Sequence, residues 1–541
     1  MRKNKKGIVF MLFFALLPVV AFAAFTAYML RMDLIPMRYI VALCVGMAAA
    51  AGLCSALTVF SWQHRSALLR ILPRVLSMLV SVAMIFGAYY MEQTFAQKQK
   101  VFKKDGTVSH VETTTYMLVV EKSSAYKKIQ ELNRKTVEEG PEDTAQEKAV
   151  KNMKSLITPN EVSVTSYDVM PGDLKSGKTD AILIDQATAD ALSEEEKTFK
   201  SDTRIIWKTT VEKGKKTAAT ATDKTFNLFI SGSDSRGSVN ATARSDVDMI
   251  LTINPKTHKV LMTSIPRDYF VTIHGKNAKD KLTHAGILGT DTVVKTVEDF
   301  MNIKINYYIK VNFASVTKVV DELGGLNIYV DQDIKLWTYP GQQNKPLSKG
   351  WHHMDGKTAL AFARERHSYK NGDSHRAQNQ QDVLKAIIGK MMSVKMLTNY
   401  SSILSSIAGM FVTDFPDSMI DRLVKNQLSE GAEWHFTSYV LESTEEMRYG
   451  GYFMPNRKLY YAIPVQSSID KARSQINAVL GETSAETSDT ADQSDASDQN
   501  ASSVSSSSGA SSSGTENTES GSSGNTPDAD PDNYTQKEAA M

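Results

Sequence analysis

The sequence predicts an α/β protein carried on three N-terminal transmembrane helices, with a small α/β accessory domain ahead of a larger α/β domain whose central sheet is flanked by helices. Three observations lead there. The N-terminal region holds three long, almost uncharged runs. The middle of the chain alternates short apolar strand-like stretches with patches of helical period. From Glu482 the composition collapses into Ser, Thr, Asp, Gly and Ala, with no aromatic residue before Tyr534.

The uncharged runs are Gly7–Leu30, Tyr39–Trp62 and Ile71–Met91, the last broken by Arg74 alone. Each reaches the ~20 residues a helix needs to cross a hydrocarbon core. Arg2, Lys3, Lys5 and Lys6 precede the first run, and His64, Arg65, Arg70 and Arg74 surround the loop between the second and third. The positive-inside rule places those basic segments in the cytoplasm and everything after about Met91 outside the cell membrane. The chain has two cysteines, Cys44 and Cys54, both within the second run, so the remainder must hold together by packing. Residues 1–91 are therefore expected to be the anchor.

Residues 92–212 are expected to form a polar stalk followed by the accessory domain. Tyr116–Val120, Val162–Tyr167 and Ala181–Asp185 have strand character; Ala125–Val137, Thr144–Leu156 and Gln186–Leu192 have helical period. Asp180 and Asp185 flank a strand and are expected at its solvated ends. The polar segment Lys213–Lys224 separates this unit from a larger domain at 225–480. The tail, 482–541, cannot bury enough apolar surface to offset its ordering entropy and is expected to be disordered.

Chemistry concentrates in the larger domain. The apolar strand Phe226–Ile230 runs into Ser231-Gly232-Ser233-Asp234-Ser235-Arg236. Ala243-Arg244-Ser245-Asp246-Val247-Asp248 leads into a strand at Met249–Ile253, and Val260–Ser264 ends in Ile265-Pro266-Arg267-Asp268. Each of these strand-end clusters combines Asp with Arg, and charges there are costly to bury without partners. Helices are expected at Asp291–Met301, Phe313–Leu323 and Gly356–Ala363. The last of these ends in Arg364-Glu365-Arg366, whose two arginines cannot share a helix face. Asp373 is positioned to N-cap a further helix on which Arg376 and Gln380, four apart, lie on one face.

Gathered arginines suit planar recognition of phosphate oxygens, and carboxylates beside phosphates suit a hard cation, Mg²⁺ or Mn²⁺. An aspartate can also serve as general base toward a hydroxyl. No Walker loop, GxSxG elbow or HExxH pair occurs, and the histidines, His284 among them, read as surface residues. With 62 Lys+Arg against 60 Asp+Glu, the chain has no excess charge for a nucleic-acid partner.

The ordered set Phe226–Arg236, Arg244-Ser245-Asp246, Ser264–Asp268, Ala361–Arg366 and Gly372-Asp373…Arg376…Gln380-Gln381 resembles the LytR-CpsA-Psr family of cell-wall glycopolymer ligases. The three-span anchor with an added domain resembles the family's streptococcal capsule-locus members. The resemblance implies a membrane-bound extracytoplasmic phosphotransferase that joins a glycopolymer, carried on polyprenyl pyrophosphate, to peptidoglycan. Carried over residue by residue, Arg244, Arg267, Arg364, Arg366 and Arg376 would grip the pyrophosphate with Gln380 in support. Asp234 and Asp246 would hold Mg²⁺, and Asp234, Asp246 and Arg267 would be the catalytic set. Asn379 stands where many members have a second arginine, and Asp248 stands where many are uncharged, leaving open whether it joins the metal site or faces solvent. Capsule assembly proteins are further expected partners. The alternative reading is a non-catalytic regulator of capsule synthesis that binds the lipid-linked polymer.

Overall fold

Segments that are apolar all round have no face to bury against a core, and here such segments form long helices. In the computed structural model, which describes residues 2–32, 36–64, 66–101, 110–141, 143–216, 224–233, 237–393 and 409–481, these are α1 (Arg2–Met32), α2 (Met37–Phe60) and α3 (Ala67–Val101). Among the described residues, three spans are long and apolar enough to cross a membrane: Gly7–Arg31, Met37–Phe60 and Ala67–Gln93, with mean hydropathies of 2.8, 2.2 and 2.0. Small and adaptable side chains, including Ala21, Phe25, Ala51, Met84 and Ala88, pack where the helices meet. The segment expected to be stalk continues helically to Val101, and residues 102–109 lie outside the described residues.

The small domain is a mixed sheet of β1 (His110–Glu121), β2 (Thr136–Glu139), β3 (Asn160–Ser163), β4 (Ala181–Asp185) and β5 (Thr203–Lys216), in the order β3-β2-β4-β1-β5. The helices α4 (Thr144–Lys154), α5 (Met170–Lys175) and α6 (Gln186–Glu195) complete it. The helix expected at Ala125–Val137 is instead a 3₁₀ turn, Ile129–Leu132, followed by β2. Arg134 adopts a positive φ of 60°, and Asp180 accepts the Thr136 N–H at 2.9 Å, drawing the chain into the sheet. Asp185 is likewise no solvated strand end. It is buried and caps α6, accepting from the Thr188 N–H at 2.9 Å.

The large domain is built on a six-stranded mixed sheet, β10-β9-β6-β7-β8-β11, from β6 (Phe226–Ser233), β7 (Val247–Asn254), β8 (Lys259–Ile265), β9 (Tyr307–Asn312), β10 (Phe411–Thr413) and β11 (His435–Val440). Strands β6, β7 and β8 run antiparallel in sequence, while β9 joins β6, and β11 joins β8, in parallel. The near-continuous burial of β6 to β8 follows from cover on both faces. On one face α7 (Thr290–Met301) and α12 (Gln466–Leu480) pack through Val293, Val297, Ile469 and Ile476. On the other, α10 (Gly372–Met391) and α11 (Asp417–Glu430) pack through Leu384, Ile388, Met419 and Leu423. The helices α8 (Phe313–Glu322) and α9 (Gly356–Arg364) form a separate cluster with Leu326, Ile328 and Phe362.

The two sheets are not independent beads. One core cluster combines Met117, Ile182, Ala187 and Leu192 of the small domain with Phe270, Ile287, Phe453 and Tyr461 of the large one. Backbone bonds run both ways between them, Thr113 N–H to Asn240 at 3.0 Å and Thr242 N–H to Thr113 at 2.8 Å. Glu112 reaches across to Lys310 at 3.1 Å.

Candidate anion site

The charged clusters meet at the end of the large sheet where β8 and β11 finish and β7 begins. A small cavity of about 60 Å³ lies there, lined by residues that include Asp246, Asp248, Arg267, Asp268, Arg376 and Gln380. Asp246 and Asp248 sit at the mouth of β7, held by the Asp246 N–H to the Gly232 carbonyl at 2.7 Å and by the Ser245 hydroxyl to Asp248 at 2.6 Å. Gly286 presses on this turn so closely that a Cβ there would meet the Ala243 carbonyl oxygen at 2.4 Å. Arg267 follows the end of β8 and donates from Nη1 to Asp246 at 2.7 Å, with its Nε 3.3 Å from Asp268. Asp268 also lies 3.4 Å from Lys281.

The opposite wall is α10. Residues 376 and 380 share the face toward the cavity, so Arg376 and Gln380 line it together. Asn379 does not belong to that face. It is buried and donates to the Phe362 carbonyl at 3.1 Å, tying α10 to α9. Gln381 donates to the Met262 carbonyl at 3.2 Å and the Ser264 hydroxyl at 3.0 Å, which fixes the helix over the end of β8. The helix starts two residues earlier than expected: Gly372 is its first residue, and Asn371 precedes it without a side-chain cap. A Cβ at Gly372 would meet the Arg366 carbonyl oxygen at 2.5 Å, so glycine lets this start close on the arginine segment. Asp373, freed from capping, lies 3.3 Å from Arg376 and 3.7 Å from Arg366.

The Arg364-Glu365-Arg366 problem is resolved by ending the helix. α9 stops at Arg364, and Glu365 turns inward, fully buried, accepting from the Trp337 N–H at 2.8 Å and the Ser368 N–H at 3.0 Å. Arg364 then lies over the Phe313 ring, 4.5 Å from its centroid, beyond the end of β9. Arg366 is exposed beside Asp373. Arg244 is buried and held by both oxygens of Glu194 from the small domain. The structure thus brings Asp246, Arg267, Arg376 and Gln380 to one cavity and Arg366 to its edge. Arg244 and Arg364 are not among the lining residues, and Asp234 lies outside the described residues.

The electrostatics are those of a crowded cation site. Burial opposes the charge of Arg267, yet Asp268 and Asp246 outweigh it and push its pKa up. Asp268 is pulled below the usual carboxylate range: burial acts against this, but Arg267, Lys281 and His284 prevail. Arg376 shifts the other way. Burial disfavours its charge, and although Asp373 assists, Arg267 and Arg366 repel it. A bound polyanion would relieve that repulsion. His284 is no surface residue; it is buried, with Nδ1 2.9 Å from Asp280.

The donor set also fits a hard cation. Asp248 is buried with one oxygen, Oδ2, lacking a hydrogen-bond partner, and its pKa is pushed well up, first by burial and then by the neighbouring Asp246 carboxylate after the Ser245 hydroxyl has eased it. This burial excludes a solvent-facing role for Asp248. An orphaned buried carboxylate oxygen beside a second carboxylate is what a divalent cation satisfies. No group of three His, Cys, Asp or Glu ligands gathers among the described residues. Mg²⁺ characteristically uses one or two carboxylates and completes its shell with substrate phosphates.

A family model described as the LytR_cpsA_psr family matches residues 182–468, more than half of the 541-residue chain. The chain belongs to the LytR_cpsA_psr family. The match begins within β4, so it includes the end of the small domain together with α6. A Bacillus cereus relative named polyisoprenyl-teichoic acid–peptidoglycan teichoic acid transferase TagU is 34% identical over 215 residues, 40% of this chain and 68% of its own length. A Bacillus anthracis protein of the same name is 36% identical over 201 residues, 37% of this chain and 64% of its own. The Enterococcus faecalis counterpart is 32% identical over 209 residues, 38% and 67% respectively. The chain therefore spans about two thirds of the length of these LytR_cpsA_psr relatives. Among solved structures, B. subtilis TagV aligns at 26% identity with a TM-score of 0.41, covering 49% of this chain and 100% of TagV.

One lining residue of the cavity, Asp268, and one residue outside it, Glu194, escaped the sequence reading. Asp268 was adjacent to Arg267 and could have been chosen for that reason. Glu194 carries no such signal, since it lies 50 residues before Arg244 in another domain.

Proposed function

We propose that this chain is an extracytoplasmic phosphotransferase that moves a glycopolymer from a polyprenyl pyrophosphate carrier to peptidoglycan. The observation that carries the reading is the convergence of Arg267 and Arg376 with Asp246, Asp248 and Asp268 on one cavity, in a family whose named relatives are teichoic acid transferases. The polymer is read as capsular polysaccharide because the three-helix anchor and added small domain resemble capsule-locus members. The basic flanks of the apolar helices support a cytoplasmic N-terminus with both sheets outside the membrane.

In this mechanism Arg267 and Arg376 grip the pyrophosphate oxygens with two-pronged, charge-assisted bonds. Arg366 and Gln380 support them at the edge of the cavity, and Arg244 and Arg364 extend the basic surround. A peptidoglycan hydroxyl attacks the phosphorus that bears the sugar. Its O–P bond forms, the P–O–P bond breaks, polyprenyl phosphate departs, and the hydroxyl proton passes to a cavity aspartate. Asp246 and Asp248, with Asp234, which follows Ser233 in the sequence, would hold Mg²⁺ or Mn²⁺, whose charge when bound offsets that of the phosphates.

The test uses the full chain in detergent with Mg²⁺, a polyprenyl-pyrophosphate glycan and soluble peptidoglycan fragments, read by mass spectrometry. A phosphodiester conjugate is expected. Retention of the glycan on its carrier, while the chain still binds it, would contradict transfer and favour the regulator.

A further inference from the structure

Helix α6 of the small domain ends against the large domain, and three successive glutamates at that end each meet a cation there. Glu194 engages Arg244, Nη2 donating to Oε1 at 2.6 Å while Nη1 meets Oε2. Glu195 lies 3.7 Å from Lys281, itself 3.4 Å from Asp268 in the cavity. Glu196 pairs with Arg457. The Glu194–Arg244 pair is asymmetric: the arginine side chain is 7% exposed and the glutamate side chain 49%. The guanidinium is thus fixed in the protein, whereas the carboxylate is half in water and can leave. Two oxygens on one guanidinium is also the geometry a phosphate uses. Glu194 further feels the field of Arg267 and Lys281, so it faces the same basic surround as the cavity.

We propose that Glu194 is a built-in competitor for the substrate: its carboxylate holds Arg244 in place of a phosphate, and pyrophosphate gains Arg244 by displacing it. This rests on the reading that Arg244, outside the cavity lining, belongs to the basic surround of the pyrophosphate, and it gives the small domain a part in the site. The exchange breaks no covalent bond; one anion replaces another on the guanidinium. Because the shared core keeps the two domains together, Glu194 stays at high effective concentration beside Arg244. It therefore weakens carrier binding and retakes Arg244 when the carrier has lost one phosphate, which speeds release of polyprenyl phosphate.

The test is calorimetric titration of geranyl pyrophosphate with Mg²⁺ into the full chain in detergent. Glu194→Gln should bind about tenfold more tightly, a gain at the low end for a charge-assisted pair because Glu194 is half exposed. Glu194→Asp, whose carboxylate is withdrawn by one methylene, should tighten binding by a smaller factor. Arg244→Gln should bind about tenfold more weakly, and adding Glu194→Gln to it should restore nothing. Glu196→Gln, which breaks only the Arg457 pair, should bind as wild type. If Arg244→Gln weakens binding while both Glu194 variants leave it at or below wild type, the competitor is overturned and the role of Arg244 stands. If Arg244→Gln binds as wild type, both are overturned.

Discussion

The aspartates that cap and brace the small domain and those that line the large domain's cavity have different kinds of partner. In the small domain three aspartates are joined to backbone: Asp143 accepts from the Ala145 and Gln146 N–H groups, both at 2.8 Å, and caps α4 while also lying 3.2 Å from Lys213, Asp185 caps α6 and Asp180 holds β2. In the large domain Asp246 and Asp268 are joined to Arg267, and Asp248 leaves one oxygen without a partner. A backbone N–H has no other use once a helix start or strand is built around it. A guanidinium can exchange a carboxylate for a phosphate. Buried charge is expensive in both domains, and under the proposed function the kind of partner distinguishes charge that builds the fold from charge held ready for a ligand.

The largest effect that sharpens this comparison is expected from Arg267→Ala. Losing two charge-assisted bonds should cost about 3–6 kcal/mol of pyrophosphate binding, and transfer in the conjugate assay should be abolished. Wild-type turnover by this variant would break the assignment of the cavity. Asp143→Ala should behave in the reverse manner. It removes a cap and should lower the unfolding free energy by about 1–2 kcal/mol, measured by denaturant titration, with geranyl pyrophosphate affinity unchanged. A loss of affinity there would show that the capping and the cavity aspartates are not divided by role.

Asp248→Asn addresses the cation. Mg²⁺ should raise the thermal unfolding midpoint of the wild-type chain, and the variant should lose most of that shift. An equal shift in both would remove Asp248 from the proposed cation site. The smallest effect concerns Glu138 of the small domain, a buried carboxylate with Oε1 unpartnered, pushed up to about 7 by burial and then by Asp173. Below about pH 4.5, its ordinary value, it is protonated folded or unfolded and carries no penalty. Between there and about 7 the folded chain keeps a proton that the unfolded chain has lost, so stability falls as pH rises, and above 7 the penalty is complete. Glu138→Gln should therefore melt higher than wild type at pH 8 and alike at pH 4. Equal midpoints at pH 8 would contradict the burial penalty.

The three membrane helices were legible because the period of hydrophobicity disappears over lengths that only a membrane accommodates. Strands β6 to β8 and the charges at their ends were legible for a related reason, an apolar run stopping abruptly at Asp and Arg. Residues 125–137 were misread because a local apolar period resembles a helix, while the long-range bond from Asp180 to Thr136 decides for strand. Asp248 could not be placed because its burial depends on cover by α10 and the 264–268 segment. Glu194 was invisible for the strongest reason. Its meaning comes from a core shared by two domains, and nothing at residues 193–196 distinguishes a solvated acidic run from one that grips three cations.

The central claim is that the large domain's cavity is a pyrophosphate site. Titrating geranyl pyrophosphate with Mg²⁺ into the full chain, wild type and the Arg267→Ala/Arg376→Ala double variant, tests it most directly. One site per wild-type chain and no measurable binding by the double variant is the predicted result. Equal affinity in the two proteins would contradict it.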